Sequence, residues 1–123
     1  MLLITRNLID RLIEPYKEAD MLACYVTSQG ISSTTTRAIL LINHDVLKIL
    51  FLNLFSSKVV QMVRIPLSDL EQQRLKSGVS LASIWSFQSH GIHYRFSIIK
   101  KMLTLGSMQA VFLKFVEEHV VRA

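Results

Sequence analysis

Two histidines, one cysteine and a run of hydroxyl residues are the side chains of this sequence with the clearest potential for chemistry. His90 and His93 have the spacing of a metal-binding pair, but the nearest acidic residues, Asp69 and Glu71, lie far back in the sequence. A protein zinc site uses three or four ligands. We therefore interpret the pair as a turn histidine followed by an outward-facing strand histidine, and we predict no metal and no cofactor.

The cysteine and the hydroxyl run lack the partners that nucleophilic catalysis requires. Cys24 lies in an apolar segment with no base nearby in sequence, which is typical of a buried cysteine that packs as a small hydrophobic residue. The residues of Ser32–Thr36 also suit a solvated loop that leads into a β-strand. The glycines are dispersed and form neither a P-loop nor a GxGxxG motif. We therefore predict that the protein is not an enzyme.

The charge of the chain is basic and unevenly distributed. The 123 residues include 14 Lys or Arg and 9 Asp or Glu, which gives a net charge of +5, and the excess lies after residue 45. A basic half is compatible with anionic lipid, nucleic acid or an acidic protein partner. The basic residues are dispersed along the sequence. The candidate ligand-contacting or partner-contacting residues are Arg37, Lys58, Arg64, Arg95, Lys100 and Lys101.

Length and composition predict a single ordered domain over residues 1–123. Half of the residues are hydrophobic and 19% are charged, a balance that favours a packed core over disorder. No apolar run reaches the roughly 18 residues of a membrane-spanning helix. Charged residues occupy the N-terminal region where a secretory signal needs an apolar segment. The single cysteine cannot form an internal disulfide, so we predict a cytoplasmic location.

These side chains must be positioned by a helix, a series of strands and a second helix. The first 18 residues contain an apolar helical stripe that ends near Glu14, because Pro15 disfavours helical geometry before it. Strand signals occupy residues 21–104. A closing helix is predicted over residues 107–121, capped by Ser107, with Gln109 on its polar side. The apolar stripe of the first helix consists of Leu8, Ile9, Leu12, Ile13 and Tyr16.

Two local patterns within the strand region predict different structures. Apolar and polar residues alternate on both sides of His90-Gly91, and glycine tolerates the positive φ of a type I′ turn, so this segment predicts a β-hairpin. Ser68 followed by Glu71 matches the capping-box pattern. That second pattern predicts a brief helical turn beginning at Ser68.

Residues 46–55, VLKILFLNLF, predict a long strand that is apolar on both faces. Each face needs a cover, because monomers rarely expose an apolar patch of that size. The core and the closing helix can cover one face. The other needs either the stripe of the first helix or a second copy of the chain. The candidate interface or helix-docking residues are Leu8, Leu12, Leu50, Leu52 and Leu54.

Three segments within residues 59–120 carry a family resemblance: VQMVRIPLSDLEQQRL, IWSFQSHGIHYRFSI and GSMQAVFLKFVEEHV. Together they resemble the pleckstrin-homology-like fold, and most closely its small bacterial and GRAM-type members. The resemblance implies an α+β, mostly antiparallel fold. Its expected form is a bent barrel or two packed sheets of six to seven strands with a C-terminal amphipathic helix and an extra N-terminal helix. A profilin-like or roadblock-type sandwich is the alternative.

The functional prediction is a binding module. The first hypothesis is protein–protein interaction or self-assembly into a homo-oligomer, because it would hide the apolar strand. The resemblance implies anionic lipid as an alternative ligand, although the loop TSQGISSTTTR supplies only Arg37 toward the basic cluster of lipid-binding members. Nucleic acid ranks third, since Trp85 and Tyr94 alternate as core residues do.

Overall fold

The computed structural model describes residues 4–29, 36–77 and 79–121. No helix in these ranges is long and apolar enough to cross a membrane. Two short 3₁₀ turns, Leu67–Asp69 and Leu103–Leu105, precede β5 and α2. The main elements are α1 (Arg6–Ile13), β1 (Leu22–Ser28), β2 (Thr36–Ile42), β3 (Val46–Leu52), β4 (Val59–Pro66), β5 (Glu71–Lys76), β6 (Ala82–Ser89), β7 (Ile92–Ile99) and α2 (Met108–Phe115), which continues as a π-helical segment, Val116–Val121.

The seven strands form one antiparallel sheet in the order β4-β3-β2-β1-β7-β6-β5. The predicted α+β class, with mostly antiparallel strands and a helix at each end of the chain, is confirmed. The sheet is not a closed barrel, because β4 and β5 are its two edges among the described strands. Only two residue pairs, Thr27 with Ser97 and Ser28 with Phe96, join β1 to β7. The sheet therefore consists of a four-stranded half and a three-stranded half with a narrow junction.

Helix α2 packs where β1 and β7 separate. The side chain of Gln109 is fully buried there. Its Nε2 donates to the carbonyl oxygens of Tyr25 and Ile99 at 2.7 and 3.1 Å, and its Oε1 accepts from the Tyr25 N–H at 2.7 Å. One side-chain amide thus satisfies backbone groups that a neighbouring strand would otherwise pair.

The sheet is covered by a different helix on each face, and we name the faces after those helices. On the α2 face, Phe112, Val116 and Val120 belong to one buried cluster with Trp85 and Phe87. On the α1 face, Ile9 and Ile13 pack in a second cluster over β1, β2 and β3. Strand residues alternate between the two clusters because side chains of a strand alternate in direction. The strand residues of this second cluster are Ala23, Tyr25, Ile39, Leu41, Val46, Leu50, Leu52 and Val59.

Helix α1 is shorter than the predicted segment 1–18 but ends near Glu14, where Pro15 was expected to stop it. The Thr5 hydroxyl accepts a hydrogen bond from the Leu8 N–H at 3.2 Å and caps the first turn. The last helical residue is Ile13, and Glu14 is the C-cap before Pro15.

Strand β3 is shorter than the apolar run that predicts it. It ends at Leu52, and the Asn53 side chain accepts hydrogen bonds from the N–H groups of Ser57 and Lys58. Asparagine side chains that bond to the following backbone favour a turn. Leu54 and Phe55 consequently lie in the turn, where they are 82% and 67% exposed.

The hairpin at His90-Gly91 is confirmed. Strands β6 and β7 pair without interruption from Ala82 opposite Ile99 to Ser89 opposite Ile92. His90 and Gly91 have φ values of 50° and 79°, and positive φ at both central residues defines a type I′ turn.

The helical turn predicted at Ser68 is limited to the 3₁₀ residues Leu67–Asp69, and the following residues form strand β5. Ser68 makes no capping hydrogen bond with its side chain among the described residues. The edge of β6 offers backbone partners to this segment, and Leu75 lies opposite Trp85. Pairing with β6 therefore outweighs the local helical pattern.

Candidate functional site

The described residues with potential for chemistry lie in separate parts of the structure. His90 lies 3.0 Å from Asp69, Nε2 to Oδ2, and His93 is exposed on β7. In the described ranges, no group of three or more His, Cys, Asp or Glu could hold a metal ion. Cys24 is fully buried, and burial raises the pKa of its thiol well above the usual value. Ser32, Ser33, Thr34 and Thr35 lie outside the described residues.

The six predicted basic residues occupy several surfaces. Lys58 is exposed in the β3–β4 turn, and Lys101 is exposed after β7. Lys100 is half-buried, and its backbone N–H donates to the Leu81 carbonyl at 2.9 Å. Arg37 and Arg95 share the α1 face of the sheet, since Arg37 lies opposite Thr27 and Thr27 lies opposite Ser97, two residues from Arg95.

Arg64 belongs to a charge cluster under the α1–β1 connection. Lys48 is buried, and its Nζ donates to the Tyr16 carbonyl at 2.7 Å and lies 2.9 Å from Glu18 Oε2. Arg64 Nε lies 3.4 Å from the same oxygen. Hydrogen bonds, first from Lys48 and then from Arg64, lower the pKa of Glu18 against an opposing effect of burial. This cluster holds the connection against the sheet.

The predicted interface residues divide between the core and the surface. Leu50 and Leu52 are buried on the α1 face, where Leu12 packs against the same cluster. Leu8 is half-buried on α1. Leu54 is exposed in the β3–β4 turn. Within the described chain, α1 is thus the cover for this face of β3.

The β3–β4 hairpin, which forms one edge of the sheet, exposes several apolar side chains. Leu54 and Phe55 are joined there by Val60 and Met62, which are 63% and 40% exposed on β4. We call these four residues the apolar edge. Edge strands present unpaired backbone groups, and proteins usually protect them with charge, proline or a bulge.

Charge and proline protect β4 only at its two ends, and a β-bulge opposite Phe51 and Leu52 interrupts its pairing near Val60. Lys58 precedes the strand, and Arg64 and Pro66 lie at its far end. Arg64 contacts Glu18 rather than projecting freely. The intervening residues 59–63, VVQMV, contain neither charge nor proline. A β-prone and uncharged edge of this kind is suited to pairing with another strand.

A second surface lies on the α1 face of β5, β6 and β7, beyond the area that α1 covers. It is a shallow concavity of about 630 Å³. We call it the basic face. Gln73 contributes to its rim while bonding inward to the Val120 carbonyl and the Trp85 indole. Its other lining residues are Gln72, Arg74, Ser86, Gln88, His93 and Arg95.

Arg74 is the member of the basic face that the sequence analysis missed. The capping-box pattern at Ser68 assigned its segment to a helical turn, so the alternation of Gln73 and Leu75 against Arg74 and Lys76 was not used. That alternation is the signal that could have identified β5 and placed Arg74 outward.

No protein-family model matches the chain, and no curated protein matches it. Among solved structures, the hSac2 domain from the human phosphoinositide phosphatase Sac2 is similar, with a TM-score of 0.53 and 11% identity over 90% of this chain and 75% of that domain. The two chains share a fold. The C-terminal domain of an unknown protein from Leishmania infantum has a TM-score of 0.47 and 9% identity over 91% of this chain and 94% of that one.

Proposed function

We propose that the protein is a non-enzymatic interaction module that associates with a second copy of itself through strand β4. The observation that carries this proposal is an edge strand whose central residues are uncharged and whose hairpin exposes four apolar side chains. Pairing two β4 strands would satisfy their outward backbone groups and bury the apolar edge of both copies.

The arrangement that suits these residues is an antiparallel pair of β4 strands related by a two-fold axis. A two-fold interface places the same patch on both partners, so one self-complementary surface is sufficient. Val60 and Met62 would then lie near the axis, with Leu54 and Phe55 at the periphery. The basic side chains Lys58 and Arg64 would remain at the ends of the paired strands.

Two further parts of the proposal rest on separate observations. We assign the chain to the pleckstrin-homology-like superfamily, and the aromatic hairpin and the closing helix support that assignment. We place the protein in the cytoplasm, a reducing compartment, which suits its single buried thiol. The raised pKa of Cys24 supports a non-enzymatic role, because a protonated thiol is a poor nucleophile.

The test is the molar mass in solution of the wild type and of a variant carrying both Val60→Lys and Met62→Lys. Static light scattering across a concentration series should show the wild type rising from 14.1 kDa toward twice that mass. At the centre of a two-fold interface, each new lysine would lie close to the new lysines of the partner copy. Their like charges repel, so dimerisation should weaken by about tenfold or more.

The matched control carries Val79→Lys and Leu81→Lys. Both residues are exposed apolar side chains outside the β3–β4 hairpin, so the control adds the same charge elsewhere. It should dimerise like the wild type. A wild type that stays at 14.1 kDa at every concentration would refute self-association, and a β4 variant that dimerises normally would refute the role of this edge.

A further inference from the structure

The basic face is the part of the α1 face that no described helix covers. Helix α1, Leu105 and Met108 pack over the strands of the four-stranded half. On the three-stranded half the outward residues are mostly polar, as in Ser86, Gln88 and Arg95. An open and polar sheet face has no need of a cover. The strands hold the side chains of this face at the regular spacing of a β-sheet, on a rigid element.

Strand register places two arginines symmetrically about a serine. Arg74 of β5 lies opposite Ser86 of β6, and Ser86 lies opposite Arg95 of β7. The Cα atoms of Arg74 and Arg95 are two strand spacings apart, about 10 Å. Both side chains rise from the same face, so their guanidinium groups are able to reach one anion held above Ser86.

Arg95 is oriented before any ligand arrives. Its Nε donates to Gln29 Oε1 at 2.9 Å, and the Gln29 backbone N–H donates to the Arg95 carbonyl at 2.8 Å. No described residue forms a hydrogen bond with the terminal nitrogens of this guanidinium. An arginine whose side chain is already held loses less conformational freedom on binding.

The charge around this row is positive and uncompensated. In the part of the chain that the structure describes, neither Arg74 nor Arg95 forms an ion pair with a carboxylate. Asp69, beyond the end of β5, is paired with His90. Glu71 lies opposite Gln88 at the far end of the face, and it is the acidic residue of β5.

The next row of the sheet extends the positive field. It runs Lys76, Ile84, Ser97, Thr27, Arg37 across five strands, so a basic residue stands at each end. Arg37, which the sequence analysis singled out, thus shares a surface with Arg95.

We infer that the basic face binds a phosphate monoester, with the phosphate between Arg74 and Arg95 above Ser86. Arginine pairs with phosphate through two parallel hydrogen bonds, and such charge-assisted bonds are about twice as strong as neutral ones. The Ser86 hydroxyl donates to a third oxygen. Gln72, Gln88 and His93 contact the polar group that the phosphate esterifies. Nothing in this inference depends on self-association through β4, which lies at the other edge of the sheet.

The test compares two sources of the same phosphate monoester. Glycerol 3-phosphate is titrated into the wild type and followed by calorimetry and by the backbone amide signals of β5, β6 and β7. In the second arm, vesicles of phosphatidylcholine with or without phosphatidic acid are sedimented with the protein. Binding in the first arm identifies a free phosphate ester as the ligand. Binding confined to phosphatidic acid vesicles identifies a lipid-borne one.

Arg74→Gln and Arg95→Gln should each weaken binding by about tenfold or more, since each removes charge-assisted hydrogen bonds to the phosphate. Arg11→Gln is the matched control, because it removes the same charge from an exposed position on α1 and should leave the affinity unchanged. All three positions are exposed, so circular dichroism should report folded variants. Absence of binding in both arms, or equal loss in the Arg11 variant, would overturn the inference.

Discussion

At the residue scale, the most constrained charge in the molecule is the ammonium group of Lys48. In the sequence it interrupts an apolar strand, and a lysine there is expected to face water. The structure buries it on the α1 face and gives it two oxygen partners, the Tyr16 carbonyl and Glu18. A buried cation needs such partners, because removal from water without compensation is costly.

Stability should therefore depend on pH through Glu18. Its pKa is lowered in the folded state, so its carboxylate stabilises the fold at neutral pH, and that contribution is lost as pH falls below the ordinary value of 4.5 through the lowered folded value. We expect Glu18→Gln to be less stable than the wild type at about pH 7, with the difference shrinking toward about pH 3 as Glu18 takes up a proton.

Urea unfolding at the two pH values measures this difference, with Glu14→Gln as the control. Glu14 is exposed at the end of α1 and lies four residues away. Its substitution should shift the midpoint little at either pH. A difference between Glu18→Gln and wild type that persists unchanged in acid would contradict the role assigned to this carboxylate.

At the scale of elements, the sequence predicted the helices and strands whose residue pattern lies within one short segment. The hairpin follows from alternation on both sides of His90-Gly91, and α1 follows from one apolar stripe and Pro15. Strand β5 was not predicted, because its hydrogen-bond partners lie on β6, and the sequence of β5 alone does not show that this edge is free to pair. Gln109 was placed on the polar side of its helix, and the gap between β1 and β7 that buries it is a property of the assembled sheet.

Gln109 joins three elements, α2, β1 and β7, and its loss should be costly. We expect Gln109→Met to lower the free energy of unfolding by about 3 kcal/mol or more, since buried donors and acceptors left without partners each cost roughly 1–3 kcal/mol. The backbone groups affected are those of Tyr25 and Ile99.

Chemical denaturation compares this variant with Lys114→Met on the exposed side of the same helix. Lys114 lies 3.9 Å from Glu118 in an exposed ion pair, and such pairs contribute little. The two variants share the new residue and the helix. Equal stability of the two would show that the Gln109 hydrogen bonds do not hold the halves of the sheet together.

At the scale of the whole molecule, strand order determines which strand lies at an edge and which side chains lie together on the surface. The sequence predicted that β3 needs a cover on both faces. The alternation of β4 was visible, but its position at an edge was not, because strand order depends on the pairing of β1 with β7. Arg95 was singled out while its partner across β6, Arg74, was not, because the capping-box pattern at Ser68 assigned the Arg74 segment to a helical turn.

The two surfaces proposed to bind partners lie at opposite ends of this order. Strand β4 ends the four-stranded half and carries the apolar edge, whereas β5 ends the three-stranded half and carries Arg74. A second copy paired with β4 would therefore leave the basic face open. The two proposed interactions are therefore compatible with each other.

Amide hydrogen exchange of β4 as a function of protein concentration tests the central claim most directly. Strand pairing between copies would protect the outward amides of β4 that precede Pro66, so their exchange should slow as the concentration rises, while the amides of β5 exchange at a constant rate. Exchange in β4 that stays constant while the molar mass doubles would contradict the account and place the interface on another surface.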